Sequence, residues 1–303
     1  MAEEALIVLA YIDEAGARGR VRDLTEDRDH EFGLMSALVF EPSAHAEAIN
    51  LFTPGFEAFR QARPAGAKLH ITDAFIAGNE AWAVVANQVR EDFLQIILRT
   101  HPRVIYAARR LRLSRLWHEH TRDVTAQAKA AKRSEIKIVG GDHPSDWRID
   151  DELIQSLALR LDAFAAMPSE KVGLKQVDLL FDETDAEVAK RYESALKRTS
   201  SISMNVEKVP GWDPKSQSRV EGSIKFEVKD APFPIDTAYL GGVHVVGKEH
   251  PLILAADIVA NHLCHHLGKL GPNSPLNTPA SISGWRLEER VWGVSDNASE
   301  DLY

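Results

Sequence analysis

The sequence predicts an α/β fold, and three observations carry that prediction. Short apolar runs rich in β-branched residues alternate with longer segments whose apolar positions recur at helical spacing. Two of the short runs, Leu6 to Ile12 and Val177 to Phe181, each end in an aspartate, Asp13 and Asp182. With 303 residues, 44% of them hydrophobic, the chain can bury a large core, either as one α/β domain with insertions or as two packed parts.

Taken in order, the first strand runs from Leu6 to Asp13, and a polar turn through Gly16 and Gly19 leads to a second strand near Phe32 to Phe40. A helix is expected from Ser43 to Gln61. Pro64-Ala65-Gly66 then breaks the chain before a short strand at Lys68 to Thr72. Asp73 or Asn79 opens the next helix, on which Trp82, Val85, Val89, Phe93, Ile96 and Ile97 form one apolar face. Val104 to Ala107 reads as a strand and Leu113 to Lys132 as a helix, after which Gly140-Gly141-Asp142-His143-Pro144 interrupts the pattern. Asp150 to Ala166 is a helix with Leu153, Leu157, Leu161 and Phe164 on one face. Val177 to Asp182 is a strand, and Asp185 to Lys197 a helix capped by Thr184. Weaker strands are read near Met204 to Val209 and Lys225 to Val228. The last helix, Leu252 to Leu267, has Pro251 at its start and Gly268 just past its end.

Composition excludes several classes. The single cysteine, Cys264, leaves no internal disulfide framework and fits a reducing compartment. The acidic start, Met1-Ala2-Glu3-Glu4, lacks the basic region of a signal peptide, and no apolar run approaches the ~18 residues of a membrane helix. A cytoplasmic protein without a membrane partner is therefore expected. No phosphate loop, dinucleotide fingerprint or nucleophile elbow is present, which removes nucleotide-hydrolase, dinucleotide-oxidoreductase and serine-hydrolase readings.

The chemistry concentrates in three acidic positions. Asp13 and Asp182 end strands, and Asp257 interrupts an otherwise apolar helix on which Asn261 and Cys264 follow at four and seven residues, on the same face. A carboxylate among core residues is costly to bury without a partner, and three that converge suit a divalent cation. Taken alone, Asp257 reads first as a buried hydrogen-bond acceptor, since buried polar groups are usually just satisfied. One aspartate at each of two strand ends and one on a C-terminal helix is an arrangement that gathers carboxylates at one sheet edge, as two-metal phosphoryl transfer requires.

The net charge of -9 opposes phosphate backbones as a whole, but its distribution is uneven. Between Arg109 and Lys137 nine basic residues face three acidic ones, including Arg109, Arg110, Arg112, Arg115, Lys129, Lys132 and Arg133. That stretch either follows a nucleic-acid backbone or is a solvated helix face.

These motifs resemble a known family. Tyr11-Ile12-Asp13-Glu14-Ala15-Gly16 is similar to the N-terminal Tyr-x-Asp-Glu-Ser-Gly signature of the bacterial DUF3800 family, which is grouped with the ribonuclease H-like fold. Lys68-Leu69-His70 resembles its acidic-x-His strand, Leu179 to Asp182 its apolar strand ending in aspartate, and Ala255 to Ala260 its Gln-x-Ala-Asp-x-x-Ala helix. The resemblance spans most of the chain in the same order. It departs at Ala15, where serine is usual, and at Lys68, where glutamate is frequent.

The resemblance implies a ribonuclease H-like mixed β-sheet flanked by helices, with helical insertions, over residues 1–271, the basic insertion lying near 109–150. It also implies a metal-dependent nuclease in which Asp13, Asp182 and Asp257 bind Mg²⁺ or Mn²⁺, with Glu14 a further catalytic carboxylate and His70, Lys68, Glu183 and Asn261 secondary candidates. DNA or RNA would be the partner. The alternative is a catalytically inactive nucleic-acid-binding or regulatory protein on the same fold, of the phage-defence or toxin type. A small-phosphoester hydrolase is a third reading. Zinc held by His262, His265, His266 and Cys264 lacks a second ligand pair elsewhere. Residues 272–303 form a C-terminal arm carrying Trp285 and Trp292, expected to dock on the body or on a second copy in a homo-oligomer.

Overall fold

The computed structural model describes residues 6–130, 137–138, 148–166, 175–182, 186–200, 206–213, 215–225 and 239–292. Strand β1 (Leu6–Gly16) lies at the centre of a five-stranded mixed sheet. It is followed by β2 (Phe32–Phe40), antiparallel to it, then by helices α1 (Pro42–Ala62) and α2 (Glu80–Thr100). Strand β3 (Arg103–Arg110) pairs antiparallel with β2 and leads into α3 (Leu111–Ala130). After the two-residue β4 (Lys137–Ile138) and α4 (Ile149–Ala166), β5 (Lys175–Phe181) joins the other side of β1 and runs parallel to it. Helix α5 (Ala186–Ser200) precedes an antiparallel pair, β6 (Val206–Asp213) and β7 (Ser218–Lys225), which forms a separate small sheet with β4. Strand β8 (Leu240–Val245) completes the main sheet parallel to β5, and α6 (Pro251–Leu267) follows. The order is β3-β2-β1-β5-β8.

A central strand covered on both faces must be apolar almost throughout, and β1 is. Its alternate residues enter two cores. Tyr11 and Ala15, with Leu34, Leu38 and Phe40 of β2, meet Phe52, Phe59, Trp82, Phe93 and Leu263 from α1, α2 and α6. Val8, Ala10 and Ile12, with Met35 and Val39, meet Leu153, Leu157, Leu161 and Tyr192 from α4 and α5. Each aromatic side chain removed from water in this way contributes about 2–3 kcal/mol. Phe52 and Phe93 also meet edge-on, with ring centroids 4.7 Å apart.

Gly16 ends β1 in the left-handed region (φ 82°), and a Cβ there would lie 2.5 Å from the Phe32 carbonyl oxygen, so the crossing of β1 and β2 requires glycine. At Gly241 an added Cβ would fall 2.0 Å from Asp178 Oδ1, the oxygen that accepts the Gly242 N–H at 2.9 Å, so a side chain there would displace Asp178 from that bond.

Most main elements lie where the sequence places them, but β8 has no counterpart among the elements read from the sequence and there are local differences. Lys68 to Thr72 forms no strand; the chain turns instead into a 3₁₀ helix at Thr72–Phe75, and the Ile71 N–H is given to a side chain rather than to a ladder. Helix α2 begins at Glu80, with Asn79 rather than Asp73 before it. Strand β7 ends at Lys225, where the weak strand signal was expected to begin, and residues 226–228 lie outside the described residues, as do Thr184 and Met204. Gly268 keeps a right-handed backbone (φ -63°), so its cap does not depend on glycine's freedom. The basic stretch is divided among the end of β3, α3 and β4.

The C-terminal arm packs on the body as far as Trp292, and residues 293–303 lie outside the described residues. Tyr106 donates to the Leu276 carbonyl at 2.7 Å. Asn277 accepts the Ala108 N–H at 2.8 Å and donates to the Ala108 carbonyl at 2.6 Å, which satisfies the outer edge of β3 as a neighbouring strand would. The Trp292 N–H reaches the Val104 carbonyl at 3.0 Å. Among the described residues no helix is long and apolar enough to cross a membrane.

Candidate functional site

Strand register brings the first two aspartates together. Ile12 of β1 lies opposite Phe181 of the parallel β5, so Asp13 and Asp182, each the next residue, lie at the same end of adjacent strands. Helix α6 packs across β1 and β2 and supplies Asp257. Asp13 and Asp257 are buried, at 8% and 5% exposure, while Asp182 is only partly so.

Asp257 is held firmly. Its Oδ2 accepts the Ile71 N–H at 2.7 Å and its Oδ1 accepts from Asn261 Nδ2 at 2.5 Å, so the helical i, i+4 spacing of Asp257 and Asn261 is used within the helix itself. His70 bridges two carboxylates, with Nδ1 3.5 Å from Asp257 Oδ2 and Nε2 4.0 Å from Asp182 Oδ2. Lys248 completes the group, its Nζ 3.2 Å from His70 Nε2 and 3.7 Å from Asp182 Oδ2. The hydrogen bond to Asp257 raises the His70 pKa, against burial and the charge of Lys248.

Asp13 carries the electrostatic load of the site. Burial drives its pKa well above the ordinary carboxylate value, and the neighbouring charges of Asp257, Glu14 and Asp182 add to the shift. Glu14 is raised as well, by burial first and then by Asp150 and Asp182, with Arg18 opposing. Successive strand residues point to opposite faces, and this divides Asp13-Glu14. Asp13 faces α6. Glu14 faces α5, where Tyr192 Oη lies 3.5 Å from Glu14 Oε2 and Arg18 Nη1 lies 2.9 Å from Glu14 Oε1. On that face Arg191 binds Asp151 at 2.8 Å and Asp150 at 3.2 Å.

The donor set of Asp13, Asp182 and Asp257 is oxygen-rich and anionic, the kind hard divalent cations take. Among the described residues no group of three or more His, Cys, Asp or Glu side chains is arranged to hold an ion as it stands. Glu183 lies outside the described residues.

Comparison of the chain with protein-family models, with curated proteins and with solved structures finds no match.

Among the described residues, the arginines of the basic stretch are mostly engaged by carboxylates and carbonyls of the fold. Arg109 lies 2.5 Å from Glu152 and donates to Ser114 at 2.9 Å. Arg110 is buried and donates to the Gly271 and Ser274 carbonyls at 2.7 and 3.0 Å. Arg115 is buried against Asp29, at 2.5 and 2.8 Å, and also reaches Glu119 at 3.0 Å. Arg112 is exposed, and the side chains of Lys129, Lys132 and Arg133 lie outside the described residues.

Cations do gather elsewhere. Arg63, Lys68 and Lys248 line a cavity of about 510 Å³ beside His70, past the ends of β5 and β8. Nothing in the sequence singles out Arg63 or Lys248, which stand in ordinary connecting segments. The role of Tyr11 is also unread there. Its hydroxyl pairs with His45 Nε2 at 2.7 Å and its ring stacks on His250 at 5.1 Å, while burial pushes its pKa up to about 12. His250 caps α6 by accepting the Leu252 N–H at 3.2 Å, so Tyr11 ties the start of the Asp257 helix to the strand that carries Asp13.

The C-terminal histidines serve packing. His262 and His266 both lie against Trp285, at 5.6 and 6.1 Å, and His266 Nε2 contacts the Ser281 carbonyl at 3.1 Å. Cys264 sits beside Gly16, and burial raises its thiol pKa.

Proposed function

We propose that this chain is a divalent-metal-dependent phosphodiester hydrolase acting on DNA or RNA, built on a ribonuclease H-like sheet. One observation carries the reading: three carboxylates remote in sequence converge, Asp13 and Asp182 lying at the same end of adjacent strands and Asp182 and Asp257 sharing His70. Such a concentration of buried negative charge is relieved by protons or by a cation, and the all-oxygen donors favour Mg²⁺ or Mn²⁺. The antiparallel β1-β2-β3 meander continued by parallel β5 and β8 supports the ribonuclease H-like reading.

When bound, the metal would activate water and stabilise the leaving oxygen. The chain's own residues do the rest. Asp13, Asp182 and Asp257 would hold the ion, and Asn261 with the Ile71 N–H fixes the rotamer of Asp257. His70, placed between Asp182 and Asp257, holds a proton near the reacting group, and Lys248 keeps Asp182 paired in the resting state.

A second reading stands on a specific observation. Each Asp257 oxygen already accepts a hydrogen bond and Asp182 already faces Lys248, so the same carboxylates serve equally in a non-catalytic nucleic-acid-binding or regulatory protein of the phage-defence type. One experiment separates them: Mn²⁺ titration by calorimetry together with cleavage of labelled single- and double-stranded DNA and RNA, for wild type, Asp13→Asn and Asp257→Asn. A hydrolase binds metal and cleaves, and both variants lose at least about 100-fold in rate, on the order of 2.7 kcal/mol of barrier. Wild type that neither binds Mn²⁺ nor cleaves leaves the binding protein as the account.

A further inference from the structure

We propose that the cavity beside Lys248 is an anion subsite that takes a phosphate of the substrate, held by Arg63, Lys68 and Lys248. The assignment rests on the hydrolase reading for the word substrate, but the site is argued from its own residues. At about 510 Å³ the cavity falls in the range of small-ligand sites, roughly 300–1,000 Å³. It lies beyond the carboxyl ends of the parallel strands β5 and β8, the place where open α/β sheets receive ligands.

Its charge runs against that of the molecule. In a chain of net charge -9, three cations converge on one cavity with a single carboxylate, Glu249, among its lining residues. Glu249 is 3.7 Å from Arg60 and 3.9 Å from Arg63, an exposed and weak pairing that leaves Arg63 able to turn to a stronger anion. Lys68 is exposed and has no ion-pair partner among the described residues. An added Cβ at Gly247 would meet nothing within 4 Å, so the wall formed there leaves room for a bulky oxyanion.

Lys248 joins this cavity to the carboxylates, since it contacts both Asp182 and His70. An anion held by Arg63 and Lys68 therefore sits next to the group that would carry the metal, and Lys248 can exchange Asp182 for that anion once a cation relieves the carboxylate. This gives Lys68 a use: the position that carries glutamate in the resembling family here contributes to phosphate binding rather than to the acidic group.

The test is calorimetric titration of the full chain with inorganic pyrophosphate in chelator, where metal plays no part, for wild type, Lys68→Ala, Lys68→Arg and, as a control, Arg112→Ala, a basic side chain outside the cavity. Wild type should bind, Lys68→Ala should weaken binding about tenfold, Lys68→Arg should restore it, and Arg112→Ala should leave it unchanged. Equal affinity in wild type and Lys68→Ala, or binding of acetate as strong as that of pyrophosphate, overturns the subsite. Mn²⁺ titration of the same proteins keeps the two ideas apart. Pyrophosphate binding without Mn²⁺ binding supports the subsite and removes the hydrolase reading; Mn²⁺ binding without pyrophosphate binding removes the subsite alone.

Discussion

Acidification should loosen the C-terminal arm through one residue, His262. Its ring stacks on Trp285, and burial first, then the charges of Arg90, Arg286, His265 and His266, hold its pKa at about 4. Glu91, bound to Arg286 at 2.7 Å, offsets part of that charge. A base whose folded pKa lies below its unfolded value of 6.5 gives stability that is complete above pH 6.5. It is lost as pH falls from 6.5 toward 4, because only the unfolded chain takes up the proton in that window. The full shift converts to ~3 kcal/mol, and solvent reaching a partly buried ring reduces this to about 1.5 kcal/mol. For a chain of 303 residues that is a fall in Tm of only ~2 °C, so urea unfolding followed by tryptophan fluorescence is the better assay. Wild type and His262→Gln should differ in slope between pH 6.5 and 4, with the variant flatter by about 1.5 kcal/mol over the interval. The loss of stacking shifts the variant by a constant and does not enter the slope. Parallel curves would refute the reasoning. The raised pKa of His70 acts in the opposite sense, since its contribution is present at low pH and lost as pH rises, and it cancels in the comparison because both proteins contain it.

Two further outcomes follow from backbone geometry. Gly16→Ala places a Cβ 2.5 Å from the Phe32 carbonyl at a positive φ and should cost about 1–3 kcal/mol in urea midpoint; an unchanged midpoint would show that the turn relaxes freely. Asn277→Ala removes both bonds to Ala108 and should cost about 1–3 kcal/mol, with hydrogen exchange at the Ala108 amide accelerating more than at central-strand amides such as Ala10.

Much of the frame was legible because it depends on patterns confined to single segments. β1, β2, β5 and α6 announce themselves as continuous apolar runs, and Asp13 and Asp182 are visible as the residues that end two of them. What was not legible depends on partners far along the chain. β8 was missed because Gly241 and Gly242 interrupt its apolar pattern, and what crowds them is Asp178 and Gln176 across the sheet for Gly241 and His244 for Gly242. Lys68 to Thr72 looks like a strand, but Asp257 takes the N–H of Ile71 from 186 positions away. Arg109 and Arg115 stand in a stretch that reads as either a phosphate-following surface or a solvated helix face until Glu152 and Asp29 are placed against them. Asp13 and Glu14 are adjacent and both feel the charge of Asp182, but the pleat sets Tyr192 and Arg18 beside Glu14 alone, which the sequence does not reveal.

The position of β1 between an antiparallel and a parallel neighbour makes the carboxylate arrangement a matter of parity. One residue inserted between Leu6 and Ile12 would turn Glu14's face toward α6 and send Asp13 among Asp150, Asp151 and Tyr192. Two inserted residues restore the faces but move the acid ~6.6 Å along the strand, past Asp182. The loops on either side of the sheet are under no such rule. Variation in chain length should therefore collect in the connections, while the eight residues from Leu6 to Asp13 keep their count.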